Sequence, residues 1–275
     1  MDMSSTLALS PQSTSEQSED AARSVKPILR FDRVGLEYDG RDVLKELSFS
    51  VNRGEVITVL GPSGCGKTTM LNIVAGFLQP SSGIALVNDR EIAGPGPDRG
   101  VVFQSYALFD WMTVEDNIAF SLRCSGKNRS QQNAVAKDVA KLVGLQGFEK
   151  SYPYQLSGGM RQRCGLARVL AANPSVMLMD EPFAAVDVQT RETLQEEILR
   201  IKTETKCTII FITHSIDEAV FLADRIFLMR KGRLGAFDEF TVNLPEPRGS
   251  SENRLHPEFL SVREQIYRAM RADAS

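Results

Sequence analysis

The sequence predicts an α/β protein: a largely parallel sheet covered by helices and interrupted by a mostly helical insert. Three observations carry this. Glu55–Leu60 is a β-branched apolar run that stops at a glycine-rich loop, and Thr68–Leu78 beyond it reads as a helix with Met70, Leu71, Ile73, Val74 and Phe77 apolar. Val176–Met179 and Cys207–Thr213 are nearly all apolar, as strands buried on both faces of a parallel sheet are. From about Tyr106 to Ala172 the pattern changes to helical periodicity.

The elements follow in order. Residues 1–27, rich in Ser, Thr, Gln and Glu and without a secretory leader pattern, read as a disordered arm. Ile28–Tyr38 and Leu47–Val51 are expected as half-exposed strands, with a turn at Arg53-Gly54 before the buried run. Gly83–Val87 and Gly100–Phe103 are two more, separated by a Pro/Gly-rich turn. Thr113 and Asp116 resemble a capping box for Val114–Leu122, Ala134–Val143 is amphipathic and stopped by Gly144, and a further helix starts at Ser157. Gln189–Thr203 is the helix between the last two apolar strands. A linker then leads to an amphipathic helix with Phe259, Val262, Ile266 and Met270 on one face, expected to pack on its own domain. The expected organisation is an arm over 1–27, one domain over 28–240 with its helical part at about 106–172, and a tail over 241–275.

Composition narrows the function classes. The chain is 42% hydrophobic and 24% charged, which suits a globular protein rather than a disordered one. Net charge is −3 with no Lys/Arg stripe, which argues against nucleic acid as a partner. No apolar stretch reaches the ~18–20 residues that cross a bilayer, so a membrane role requires a partner's spans. The four cysteines have neither pairing nor metal spacing, which fits a reducing compartment.

Two motifs carry chemistry. Gly61-Pro62-Ser63-Gly64-Cys65-Gly66-Lys67-Thr68 fits G-x-x-x-x-G-K-[ST] between a strand and a helix. Glycines let backbone N–H groups converge on phosphate oxygens, and the helix start adds its positive end. Lys67 can reach the β- and γ-phosphates of ATP and Thr68 can ligate Mg²⁺, with Thr69 in the same first turn. The Cys65 thiol, beside Lys67 at a helix N-terminus, is expected to be reactive. The second motif ends Val176–Met179 with Asp180-Glu181, which puts two carboxylates at the carboxyl end of a buried strand, where nucleotide sites form. There Asp180 would hold the metal and Glu181 would polarise the attacking water.

Leu156-Ser157-Gly158-Gly159-Met160, lying between these motifs, makes the set resemble the ABC ATPase family over about residues 28–240. Met160 stands where the family usually has Gln. The resemblance implies a P-loop NTPase fold with a RecA-like core of mixed sheet, antiparallel strands on the N-terminal side and a helical subdomain. It implies that Tyr38 stacks on adenine, that Gln104 links the core to the insert and reaches Mg²⁺, that Asp187 follows the catalytic Glu181, and that His214 contacts the γ-phosphate. It further implies a dimer in which Ser157, Gly158 and Gly159 face the γ-phosphate held by the other copy. The partners would be that second copy, transmembrane permease subunits and, indirectly, a solute-binding protein, at the cytoplasmic face of the inner membrane. The tract Gly94–Gln104, with Trp111 and Thr113–Asn117, resembles the nitrate, sulfonate and taurine importer branch. The ATPase of an export or lipid-extraction system and a non-transport ABC ATPase stay open as other readings. The Pro/Gly tract disfavours the first, and the single compact cassette without coiled-coil insertions disfavours the second.

Overall fold

A computed structural model describes residues 26–103, 107–184, 186–232 and 234–272. The expected arm, apart from Lys26 and Pro27, and Gln104 lie outside these residues. The chain begins with β1 (Leu29–Tyr38), β2 (Arg41–Val51) and β3 (Val56–Leu60), then α1 (Lys67–Ala75), β4 (Ser82–Val87), β5 (Arg90–Glu91) and β6 (Arg99–Val102). Next come α2 (Val114–Cys124), α3 (Arg129–Leu142) and α4 (Gly158–Ala171), then β7 (Val176–Asp180), α5 (Val188–Thr205), β8 (Thr208–Thr213) and α6 (Ile216–Leu222). The chain continues as β9 (Arg225–Met229), β10 (Phe237–Thr241) and α7 (Pro257–Ala272).

Two sheets result. The first has the order β10-β9-β3-β8-β7-β6 and is parallel except for β10; the second, β2-β1-β4-β5, is antiparallel. Alternation along each central strand feeds two cores. Val176, Leu178, Ile210 and Ile212 pack with α1 and the antiparallel sheet, whereas Met177, Met179, Ile209 and Phe211 pack with α4, α5 and α6. That is why these strands read as unbroken apolar runs.

The glycine-rich turn before β6 has a packing reason. Gly76 ends α1 at φ 80, and a Cβ there would stand 2.2 Å from the Gly94 carbonyl. The same carbonyl accepts from Arg99 Nη2 at 2.6 Å, which pins the turn to the edge strand. Farther along, Thr113 caps α2 by accepting from the Asp116 N–H at 3.3 Å, and Ser157 caps α4.

Several elements differ from the expectations. α1 ends at Ala75, because the left-handed Gly76 stops it before Leu78. The second strand starts at Arg41, since it continues a hairpin out of β1. α3 begins at Arg129 behind an Asn128 capping box, and α5 runs on to Thr205. β9, β10 and α6 carry no sequence expectation at all. β9 does carry a four-residue apolar run, Ile226–Met229, as long as Val176–Met179, whereas β10 is an edge strand that mixes two half-buried phenylalanines with acidic residues and shows no clear alternation. The tail does pack on its own domain: α7 lies against α6 with Phe259, Val262 and Ile266 buried.

One buried amide organises the loop entering α2. Asn117 is fully buried; its Oδ1 accepts from the Phe109 N–H at 2.9 Å, and its Nδ2 donates to the carbonyls of Phe109, Met112 and Thr113 at 3.0–3.2 Å. Asn117→Ala takes this partner from the Phe109 N–H and the Met112 carbonyl, whereas the Phe109 and Thr113 carbonyls keep backbone donors. It is expected to cost about 1–3 kcal/mol, read as a lower denaturant midpoint of the nucleotide-free protein.

Candidate functional site

The loop 61–66 emerges from the carboxyl end of the fully buried β3 and turns directly into α1. Gly61 is needed for space, since a Cβ there would lie 2.5 Å from the Met229 carbonyl of neighbouring β9. Gly66 precedes α1 in a left-handed conformation, with no side-chain cap and no acidic residue in the first turn. The opening N–H groups of α1 are thus available to an anion. Pro62, Ser63, Gly64 and Thr68 are exposed at this mouth and Thr69 is half-buried.

Lys67 is buried, and its Nζ donates to the carbonyls of Gly61 and Pro62, each at 2.8 Å. The ammonium thus holds the loop from within. Cys65 corrects an expectation. Its thiol is only 5% exposed and lies 3.9 Å from Lys67 Nζ, sealed under the loop, so reagents lack the access that a reactive thiol requires.

β7 delivers Asp180 opposite Ile212 of β8, next to the loop. Burial pushes the Asp180 carboxyl above its ordinary value; a hydrogen bond from the Thr68 side chain lowers it, Glu181 beside it raises it, and Lys67 lowers it. The Thr68 hydroxyl and the Asp180 carboxylate together form a hard-oxygen pair of the kind that suits Mg²⁺.

Glu181 follows in a left-handed conformation, φ 46, with its N–H bonded to the Ile212 carbonyl at 3.0 Å. The turn carries its carboxylate away from the strand line to His214, where Oε2 lies 3.4 Å from Nδ1. His214 is exposed at the end of β8, so it faces the same mouth.

The other expected residues stand elsewhere. Tyr38 is 68% exposed at the end of β1. Asp187 caps α5, accepting from the Thr190 N–H at 3.0 Å, and this hydrogen bond holds its carboxyl below the usual range. Ser157 accepts from the Met160 N–H at 3.3 Å, with Gly158 and Gly159 opening α4. Among the described residues, no hydrogen bond or ion pair joins Ser157, Gly158 or Gly159 to the cluster of Lys67, Thr68, Asp180, Glu181 and His214. A single copy therefore assembles the loop, both acids and the histidine, and leaves the α4 tip apart.

Sequence reasoning missed the residues that support this cluster. Gln162 of α4 donates from Nε2 to the Pro182 carbonyl at 2.9 Å, which ties the α4 helix to the turn after Glu181. Arg191 and Glu218 line a cavity of about 60 Å³ together with Glu181, Thr213 and His214. Nothing in the spacing of these residues signals the contact, because α5 and α6 meet only in the folded chain.

Comparison with known proteins gives the family and the fold. The family model described as ABC transporter matches residues 44–184. A putative ATP-binding protein of Brucella abortus is 46% identical over 90% of this chain and 94% of its own length. The taurine import ATP-binding protein TauB of Pelagibacter ubique is 47% identical, covering 81% of this chain and 85% of its own. In fold, the chain resembles cbiO1 of Clostridium perfringens, described as part of the ABC transporter complex cbiONQ, with a TM-score of 0.73 over 88% of this chain and 99% of that one at 24% identity.

The raised Asp180 carboxyl has a linked consequence. A carboxyl raised in the folded state stabilises the fold below its unfolded value, near 3.8, and that contribution is lost as pH rises through the folded value. Asp180→Asn is therefore expected to raise the melting temperature of the nucleotide-free protein at pH 7, by an amount that vanishes below pH 3.8. Thermal scans across pH check this.

Proposed function

Because the chain belongs to the ABC transporter family as an ATP-binding subunit, we propose that it is the ATP-hydrolysing motor of an importer, acting as a pair of copies on permease subunits at the cytoplasmic face of the membrane. The observation that carries this reading is the convergence of the loop 61–68, the Asp180 carboxyl that Thr68 and Lys67 influence, and the Glu181–His214 contact at the carboxyl ends of neighbouring parallel strands.

Bound Mg·ATP supplies the scissile phosphoanhydride and, through its metal, charge neutralisation at the leaving oxygen. The residues of the chain do the rest. Lys67 exchanges its carbonyl partners, Gly61 and Pro62, for β- and γ-phosphate oxygens, so the ammonium that braces the empty loop becomes a ligand contact. The N–H groups from Gly64 to Thr69 cradle the phosphates, with Pro62, Ser63 and Cys65 shaping the loop and Tyr38 stacking on the base. Thr68 and Asp180 hold the metal, with Gln104 as a further ligand. Glu181 orients water for in-line attack and takes its proton as the γ-phosphorus–oxygen bond to the leaving ADP breaks. His214 holds the γ-phosphate and the orientation of Glu181.

Ser157, Gly158 and Gly159 complete the site from the second copy, with Asp187 beside that junction. A helix tip with a serine cap and two glycines offers N–H groups to an anion, and it is the part of the constellation that one copy holds apart from its own loop. Two nucleotides then bridge two copies, and hydrolysis releases them, which provides a two-state element for a membrane partner.

Where that partner binds is suggested by an open apolar groove of about 450 Å³, walled by Phe77, Val101, Phe103, Phe109 and Phe120. Phe77 and Phe103 stack at its rim, and Trp111, 73% exposed, flanks Phe109. Aromatic exposure of this kind marks an interaction face. No helix among the described residues is long and apolar enough to cross a membrane. Kinship with the taurine import protein TauB supports the import direction, and the tract Gly94–Gln104 supports a nitrate-, sulfonate- or taurine-like solute. The solute would touch the permease and a solute-binding protein rather than this chain.

Replacing Glu181 with Gln is expected to leave equilibrium ATP binding intact while lowering turnover on the order of 10²–10⁴-fold and trapping the closed pair. Lys67→Ala is expected instead to weaken binding itself. Equilibrium nucleotide binding, phosphate release and size-exclusion chromatography with ATP separate these effects, and wild-type turnover by the Glu181 variant would overturn the assignment.

A further inference from the structure

Glu218 is a buried acid, 7% exposed, and the catalytic scheme above gives it no task. It stands three residues after the Ser215 cap of α6, where a glutamate ordinarily reaches back to the N–H of the capping residue. Here a third group intervenes. Glu218 Oε2 accepts from the Thr213 hydroxyl at 2.5 Å, and the oxygen of that hydroxyl accepts from the Ser215 N–H at 3.0 Å. One carboxylate therefore fastens the residues on both sides of His214.

Its other oxygen serves a different loop. Oε1 lies 3.6 Å from Nε of Arg191 on α5, and Nη2 of the same guanidinium donates to the Val186 carbonyl at 3.0 Å. Val186 immediately precedes Asp187 and closes the turn that begins at Glu181. Capping α6 requires none of this. The arginine adds a bridge from the end of β8 to the turn after β7, and both side chains wall the 60 Å³ cavity onto which Glu181 and His214 also face. A cavity of that size holds a few waters, so a small drift of either loop would change the distance between acid, histidine and water.

We propose that Arg191 and Glu218 form a positioning pair that holds His214 and the turn from Glu181 to Asp187 in mutual register for hydrolysis. This rests on the roles given above to Glu181 and His214. Neither member touches nucleotide; each acts through the backbone that it ties down. The 3.6 Å separation is an ion pair rather than a tight hydrogen bond; Glu218 is shielded, whereas Arg191 is about one-third exposed, so the pair is screened in part.

The test uses the full-length chain with Glu218→Gln, Arg191→Gln, Arg191→Lys, the double Glu218→Gln/Arg191→Gln variant and Glu181→Gln, comparing kcat, KM for ATP, equilibrium ATP binding and melting temperature. Each Gln single variant is expected to lower kcat on the order of 10–100-fold with KM and binding held within about twofold. Arg191→Lys, which keeps the charge but loses the fork to Val186, is expected to recover part of the loss. The double variant should be no slower than the slower single one, because the two residues act as one unit. Wild-type kcat in either single variant, or losses that multiply in the double, would overturn the pair. If Glu218→Gln does not fold, the two Arg191 variants decide, since that side chain is partly exposed and its removal leaves no buried acid without its Thr213 partner. Should Glu181→Gln itself hydrolyse at the wild-type rate, the underlying reading fails instead, and the two failures are thereby told apart.

Discussion

Parallel pairing of β3, β8 and β7 determines where every charged group of the site can stand. Leu60 lies opposite Thr213, and Ile212 opposite Asp180, so three neighbouring strands end within a residue of one another. Because both faces of these strands are buried, a one-residue slip would drive Asp180 or His214 into a core. The register is therefore held by apolar packing on both sides, and the polar ends inherit that precision. The phosphate loop, the two acids and the histidine owe their proximity to this constraint more than to their attraction for one another.

The nucleotide-free site carries costs that the surrounding structure offsets. α1 begins without a side-chain cap, Asp180 is held half-buried beside a second acid, and Glu181 adopts a left-handed backbone for which a β-carbon is unfavourable. Lys67 relieves part of this by bracing the loop through two carbonyls. Each of these features is one that a polyanion and a divalent cation would relieve. A site built this way gains stability from its ligand, which couples occupancy to conformation without a separate sensor.

Around this edge the helices act as struts. Gln162 reaches from α4 to Pro182, Arg191 reaches from α5 to Val186, and Asn117 holds the loop that bears Phe109 on the apolar groove. Thus α4 and α5 each tie the acidic turn by a side chain to backbone contact, and α2 ties the loop of the groove in the same way. Such contacts are directional, so they fix position more narrowly than apolar packing alone.

The sequence by itself determined the fold class, the central strands, the caps at Thr113 and Ser157, the docking of the tail helix and the locations of the loop and the acidic pair. Each depends on local periodicity or on groups adjacent in the chain: EVITVL before the glycines, four apolar residues before Asp180, a serine before two glycines. Only the tertiary structure decided that β9 completes the sheet, that Cys65 is sealed, that Asp180 meets Thr68, and that Arg191 and Glu218 brace the turn beside His214. Those are pairings between residues far apart in the chain. Their partners are selected by which strand ends and helix faces come together when the apolar surface is buried, and no local pattern records that choice.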